Sequence, residues 1–201
     1  MPQPPATVKG RATRERILRA AAELVAEKGA AGMTLDDVRA KAGASRSQLY
    51  HYFDDRDELV RAVIDVTSDA VLDVQGDLLD RLDSWAGIDR WFAALVALQE
   101  KRQARGGCPI GSLAGQLAEH DPQARTAIAA GLERWETHLR DGLTRMKARC
   151  KLRADADPAE LATATMASLQ GGLLLTQVRR DPGQLRIALA AARANLRRAA
   201  V

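Results

Sequence analysis

The sequence predicts an all-α protein. Apolar residues recur at helical spacing along most of its 201 residues, and the alternation that marks β-strands is rare. Three Asp-Pro pairs divide the second half of the chain: Asp121-Pro122, Asp157-Pro158 and Asp181-Pro182. In such a pair the carboxylate can cap a helix, and the fixed φ of proline suits the first helical position. Each pair therefore predicts a helix start.

The composition limits the classes of protein to which this chain can belong. Hydrophobic residues make up 46% of the chain and charged residues 28%, which favours a globular fold over a disordered chain. The apolar stretches are too interrupted for a membrane span and no secretory signal is recognisable, so we expect a cytoplasmic protein without a membrane partner. Two cysteines, Cys108 and Cys150, are too few for a disulfide framework or a zinc site, and no cofactor motif is present. A net charge of +4 is compatible with a polyanionic partner but does not identify one.

The N-terminal region predicts an arm followed by a first helix. Residues 1–8 are rich in proline and small side chains and are expected to form a flexible arm. Thr13 is the predicted cap of a helix whose apolar face includes Ile17 and Leu24 and which ends near Gly29.

Two short helices follow, with a tight turn between them. Thr34 precedes the first of them, Gly43 closes it, and Ser45 opens the second. Leu49 and Phe53 fall on the inner side of this second helix. Its outer side carries Arg46, Ser47, Gln48, Tyr50 and His51. This is the layout of a DNA-reading helix-turn-helix, although an ordinary surface helix of a bundle is the alternative.

Helices are predicted for the rest of the chain. Asp55 is the expected cap of the fourth helix. The predicted ranges are 55–83, 88–104, 111–120, 122–152, 158–180 and 182–199. We place the domain boundary before the fourth helix, which separates a head of residues 1–54 from a body of residues 55–201.

The segment TLDDVRAKAGASRSQLYHYFDDRDELV resembles the TetR family of transcriptional regulators. The similarity is strong over residues 13–60 and lies in a threonine-led helix, a glycine turn, a Leu-Tyr-x-x-Phe helix and a Glu-Leu start of helix four. It implies a three-helix helix-turn-helix head and a helical-bundle body for ligand binding and dimerisation. The implied function is that of a homodimeric repressor, released from a palindromic DNA operator by a small-molecule inducer.

The resemblance also implies roles for individual residues. Phosphate contacts are implied for Thr34, Tyr50, His51 and Arg56. The base-reading edge is implied for Ser45, Arg46, Ser47 and Gln48. Lys9, Arg11 and Arg14 are further candidates for phosphate contacts. Asp54 and Asp55 depart from the family pattern, since they put acids beside the expected phosphate path; Asp55 is explicable as a cap, whereas Asp54 is not explained.

The last two helices predict a helix-helix seam. Leu185, Leu189, Ala192 and Leu196 form a narrow apolar stripe on the final helix. The helix before it is rich in small residues, including Gly171 and Gly172, which permit close approach. The seam could lie within one chain or between two, and the family resemblance favours a dimer interface.

The candidate effector site lies in the body. Its predicted lining is Trp91, Cys108, Trp135, His138, Met146, Met166 and Gln170, although each could be ordinary core. The loop GGCPIG at residues 106–111 resembles that of a TetR subgroup with a Gly-Cys-x-x-Gly-Ser-Leu element, which implies a sensor of small hydrophobic or electrophilic molecules. Cys108 could be a buried hydrophobe, a pocket-lining residue, or a thiolate whose pKa is lowered by a helix end or by Arg102 or Arg105.

Two other classes of function compete with a regulator. An enzyme could use Cys108 as nucleophile and His120 as base, but such a site needs spatial proximity and an orienting group. An architectural DNA-binding protein is expected to carry more positive charge and minor-groove wedges than this chain does.

Overall fold

A computed structural model describes residues 7–201, and ten helices lie in that range. They are α1 Val8–Gly32, α2 Leu35–Ala42, α3 Arg46–Tyr52, α4 Arg56–Asp73, α5 Asp77–Asp80, α6 Trp85–Lys101, α7 Pro109–Leu117, α8 Pro122–Ala148, α9 Pro158–Arg179 and α10 Gly183–Arg198. The all-α prediction is confirmed. Across these described residues, no helix combines the length and apolar character that a membrane span requires.

The first helix begins earlier than the sequence predicts. Thr7 is its cap and accepts a hydrogen bond from the Gly10 N–H at 3.1 Å. Thr13 is buried instead, and its hydroxyl donates to the Lys9 carbonyl, so the predicted cap at Thr13 is wrong. Of the arm predicted for residues 1–8, residues 1–6 lie outside the described part of the chain. Gly29 interrupts the helix as expected, with φ +77° and ψ 165°.

All three Asp-Pro pairs start helices. Each carboxylate accepts hydrogen bonds from backbone N–H groups two or three residues further on, at 2.8 to 2.9 Å. Helices α8 and α9 begin at the proline itself, and α10 begins one residue after Pro182. The prediction is confirmed because this capping depends only on neighbouring residues.

The predicted helix over residues 55–83 is divided in two. Helix α4 ends at Asp73, and Gly76, with φ +39°, precedes the short α5. The Gln75 side chain holds this bend, since its Nε2 donates to the Val71 carbonyl and its Oε1 accepts from Trp91 Nε1 at 2.7 Å. A buried tertiary hydrogen bond thus stabilises a bend that helical periodicity alone does not reveal.

The described chain forms two compact units. The first contains the described residues up to Ala70 together with Ser112–Gly131. The second contains Val71–Gly111 and Leu132–Val201. Helix α7 has its first turn in the second unit and its remainder in the first. The functional boundary between residues 54 and 55 stays a prediction.

The apolar stripe of α10 packs against α9 of the same chain. Leu185 and Leu196 are fully buried, and Leu189 and Ala192 are each 3% exposed. A Cβ on Gly172 would lie 2.8 Å from the Ala188 Cβ, so the small residue brings the two helices close together. The prediction that these four residues form a dimer seam is therefore wrong, since they belong to the intramolecular core.

The outward faces of α9 and α10 carry a different apolar surface, here called the α9–α10 face. On α9 it consists of the exposed residues Ala164, Ala167, Gly171, Leu174 and Val178, and on α10 of Ile187, Ala191 and Ala194. Leu174, Val178 and Ile187 are 60%, 71% and 68% exposed. Successive members are three or four residues apart, so each helix presents one continuous stripe.

Candidate nucleic-acid interface

Local hydrogen bonds define the ends of α2 and the start of α3. The Thr34 hydroxyl caps α2 by accepting from the Asp37 N–H at 3.1 Å. Gly43 then takes the left-handed conformation, with φ +58°, which a residue without a Cβ adopts at little cost. Ser45 follows as the cap of α3. The helix-turn-helix predicted from these residues is confirmed.

Ser45 and Gln48 form a reciprocal capping box. Ser45 Oγ accepts from the Gln48 N–H at 3.1 Å, and Gln48 Oε1 accepts from the Ser45 N–H at 2.9 Å. Ser45 Oγ also lies 3.0 Å from Ser47 Oγ. These oxygens stabilise the helix start, so Ser45 opens the helix as predicted and does so as its cap. The side-chain NH₂ group of Gln48 takes no part in this capping box.

The outer side of α3 is polar and exposed. Leu49 and Phe53 are 2% and 1% exposed and anchor the helix in the first unit. The opposite side exposes Arg46, Ser47, Gln48, Tyr50 and His51. The Arg46 guanidinium carbon lies 5.6 Å from the centre of the Tyr50 ring, which limits how this cation is oriented. One short helix therefore presents donors, hydroxyls and an aromatic ring side by side.

Arg56 makes three hydrogen bonds within the first unit. Its Nε donates to the Met33 carbonyl at 3.1 Å, its Nη2 donates to the Ala30 carbonyl, and Nη1 bonds to Asp57. The guanidinium is thus engaged with the turn between α1 and α2. These bonds fix the guanidinium beside the residues that precede Thr34, and the phosphate contact of Arg56 stays a prediction.

The Asp55 carboxylate and the Asp54 backbone N–H both take part in capping α4. Asp55 Oδ1 accepts from the Glu58 N–H and Glu58 Oε2 accepts from the Asp54 N–H, both at 2.7 Å. Asp55 is the predicted cap, and this is confirmed. The Asp54 carboxylate is exposed, and its effect near a DNA backbone stays unexplained.

Ion pairs fasten α1 to α2. Lys28 bonds to Asp37 at 3.1 Å, and Lys41 lies 3.1 Å and 3.0 Å from Glu23 and Glu27. The hydrogen bond from Lys28 lowers the pKa of Asp37, and those to Glu27 and Glu23 raise the pKa of Lys41. The ammonium groups of both lysines are therefore paired with carboxylates. Near the start of α1, Lys9 and Arg11 are exposed, and Arg14 lies over the Phe53 ring at 5.3 Å.

Cys108 caps α7 from inside the second unit. It is 7% exposed, and its Sγ accepts from the Gly111 N–H at 3.3 Å. Gln170 lies against it, since a Cβ on Gly111 would be 3.1 Å from Gln170 Oε1 and 3.3 Å from the Cys108 Cβ. Burial raises the pKa of the Cys108 thiol, although the hydrogen bond from the Gly111 N–H opposes this. The alternative of a thiol with lowered pKa is not supported.

The other predicted effector residues differ in their surroundings. Trp91 is fully buried and donates to Gln75, so it is satisfied within the core. Trp135, Met146 and Met166 are buried, and His138 is half-buried. Within residues 7–201, three buried polar atoms have no hydrogen-bond partner: Gln99 Oε1, Trp135 Nε1 and Gln170 Nε2. Sequence analysis missed Gln99, because a single Gln on a helix gives no sign of burial.

The enzyme alternative gains no support from the positions of its two residues. Cys108 is buried before α7, whereas His120 is exposed after it. The nine-residue helix α7 separates them.

Helix α3 is exposed and follows α2 after a glycine turn, and a second helical unit accompanies this pair. These features define a helix-turn-helix DNA-binding protein. The family model "Bacterial regulatory proteins, tetR family" matches residues 17–63. The model "Tetracyclin repressor-like, C-terminal domain" matches residues 85–192. The chain belongs to the TetR family of transcriptional regulators.

Known relatives and structures agree with this assignment. An uncharacterized HTH-type transcriptional regulator of Mycobacterium tuberculosis is 30% identical over 185 residues, covering 84% of this chain and 86% of the relative. The transcriptional regulator AcuR of Cereibacter sphaeroides is 26% identical, covering 85% of this chain and 79% of AcuR. A TetR-family regulator from Cytophaga hutchinsonii has the same fold, with a TM-score of 0.81, 18% identity, and coverage of 98% and 99% of the two chains.

Proposed function

We propose that this regulator is a repressor that binds a pseudo-palindromic operator as a homodimer and is released by a small-molecule inducer. The exposed polar side of α3 is the observation that carries the proposal, because it offers groups that can meet base edges in a major groove. The description of the matching C-terminal model as tetracyclin repressor-like supports repression. Action on chromosomal DNA implies a cytoplasmic protein.

The proposed DNA contacts form two groups: side chains that contact bases, here called readers, and side chains that contact phosphates, here called clamps. Arg46, Ser47 and Gln48 lie exposed at the start of α3, which suits direct contact with bases. Ser45 contributes mainly by capping that helix. Thr34, Tyr50 and His51 are exposed beside them and suit phosphates, and Thr34 does so at the start of α2, where backbone N–H groups favour an anion.

The α9–α10 face supports homodimerisation. Its two stripes expose large side chains beside small ones, and a second copy would cover them in a symmetric four-helix contact. A two-fold dimer presents two copies of α3 to two half-sites. The proposed dimer thus uses the outward faces of the same two helices whose inner faces form the core.

The second unit is the proposed effector-binding part. An unpaired buried polar atom costs about 1 to 3 kcal/mol, and Trp135 Nε1, Gln99 Oε1 and Gln170 Nε2 are three such atoms. A small, mainly apolar effector whose hydrogen-bonding groups reached any of these atoms would remove that cost. Cys108 belongs to this proposed site as a lining residue next to Gln170, which favours a hydrophobic effector over an electrophile.

The two cysteines are expected to react at different rates. Cys150 is exposed, whereas Cys108 is buried and its pKa is raised. Since the thiolate is the reactive form, iodoacetamide should label Cys150 at least about tenfold faster than Cys108 in the folded protein at neutral pH. Peptide mass spectrometry over time measures both rates, and guanidinium-unfolded protein is the control in which they converge. Faster labelling of Cys108 in the folded protein would restore the reactive-thiol alternative.

Fluorescence anisotropy with the DNA upstream of its own gene tests the function. Affinity should fall steeply as salt rises, because contacts to phosphates release counterions. An unrelated duplex of equal length should bind far more weakly. Equal binding of both duplexes at all salt concentrations would contradict the proposal.

A further inference from the structure

Two side chains that are distant in sequence bind one residue, Ala30, in the last turn of α1, just after the interruption at Gly29. The Ala30 N–H donates to Gln116 Oε1 at 2.7 Å, across 86 residues of sequence. The Ala30 carbonyl accepts from Arg56, which also bonds to the Met33 carbonyl. Both backbone polar groups of Ala30 are therefore bound by side chains from other helices, just ahead of Thr34.

Gly29 makes room for this contact. Its backbone leaves the helical conformation, with φ +77°, which takes the following N–H out of the helical ladder. A Cβ at this position would lie 2.9 Å from Gln116 Oε1. Glycine thus meets two requirements, the positive φ and the close approach of the Gln116 amide.

The Gln116 amide is oriented from its other side. Its Nε2 donates to the Ser112 carbonyl at 3.1 Å and lies 3.2 Å from the Ser112 hydroxyl. The oxygen is therefore directed at Ala30. Gln116 and Ser112 are both on α7, the helix that Cys108 caps and whose first turn carries Gly111 next to Gln170.

We propose that Gln116 is a positioning residue for DNA binding. Its hydrogen bond holds the α1–α2 turn, and with it Thr34 and the start of α2, in the conformation that binds DNA. Because Gly111 lies in the first turn of α7 and Cys108 caps that turn, a shift of this turn changes operator affinity through the Gln116 hydrogen bond. The inference rests on the proposed operator binding and adds a residue that lies far from the reading helix in sequence.

The first experiment compares two substitutions of Gln116. Gln116→Leu removes the acceptor and should weaken operator binding about 5- to 30-fold, as expected when a partly buried N–H loses its partner. Gln116→Glu retains an acceptor for the Ala30 N–H but loses the donor to the Ser112 carbonyl, so it should weaken operator binding less than Gln116→Leu does. Hydrogen exchange of the Ala30 amide should accelerate in the Leu variant only. Unchanged operator affinity and unchanged exchange in Gln116→Leu would overturn the proposal.

The second experiment tests the connection through α7. Gly111→Ala places a methyl group 3.1 Å from Gln170 Oε1 and 3.3 Å from the Cys108 Cβ, so the contacts around the first turn of α7 must adjust by a few tenths of an ångström. It should change operator affinity at least about threefold in the presence of Gln116 and have little effect in the Gln116→Leu background. Equal effects in both backgrounds would overturn the connection. Gln170→Ala removes the side chain that lies beside Gly111. It provides a second perturbation of the same place if Gly111→Ala folds poorly.

Failure of the proposed function gives a different result. If the unaltered protein binds no upstream DNA, operator binding is wrong as such. The Ala30 exchange rate still tests the Gln116 hydrogen bond in that case, because it requires no DNA.

Discussion

Replacing Val178 by Glu is expected to split the homodimer and to weaken operator binding by at least about 100-fold. Val178 is 71% exposed in the single chain and lies on the α9–α10 face, so dimerisation would bury the new carboxylate without a partner. A monomer engages only one half-site and loses the contribution of the second head. Sedimentation equilibrium and anisotropy on the same samples measure the two effects.

Val74→Glu is the matched control. Val74 is a valine that is 63% exposed but lies outside the α9–α10 face, so its substitution should leave the dimer and operator affinity intact. A Val178→Glu variant that remains dimeric at micromolar concentration would refute the assigned face. Leu189→Glu is a poor probe of dimerisation, since Leu189 is 3% exposed and its substitution should disrupt the α9–α10 core within each chain.

Arg46→Ala is expected to cost about 1 to 3 kcal/mol of operator binding and to relax sequence preference at one base position in each half-site. Arg46 is exposed at the start of α3, where a guanidinium can reach a base edge with two parallel donors. Arg46→Lys keeps the charge without that geometry and should lose the preference while retaining part of the affinity. Binding to operators randomised one position at a time measures both quantities.

Tyr50→Phe provides the contrast for Arg46. Its hydroxyl is a proposed phosphate contact, so the variant should bind all operator sequences more weakly by a similar factor. If Arg46→Ala weakens all sequences evenly and Tyr50→Phe alters base preference, the division into readers and clamps is wrong.

The sequence predicted those features that depend on neighbouring residues. The caps at Thr34, Ser45 and Asp55 and the left-handed Gly43 each follow from hydrogen bonds or steric freedom within three or four residues. For the same reason the helix starts at the Asp-Pro pairs were predictable. Local chemistry is visible in sequence because the partner is always close by.

Features that depend on distant partners were missed or misassigned. An apolar stripe shows that a helix is covered but not by which partner, so Leu185 and Leu189 were assigned to the wrong contact. The hydrogen bonds of Arg56 to the Met33 and Ala30 carbonyls were not predicted, because these partners lie 23 and 26 residues away in sequence. Gln116 gave no signal at all, since its partner is an ordinary backbone N–H of Ala30.

A footprint of the upstream DNA tests the central claim most directly, which is that two copies of α3 read the operator together. Hydroxyl-radical cleavage should show two related protected half-sites with centres about 10 base pairs, or a multiple of that, apart on one side of the duplex. The Val178→Glu variant should give no such paired protection at the same concentration. A single uninterrupted protected tract without sequence preference, or protection that is unchanged in Arg46→Ala, would contradict the account.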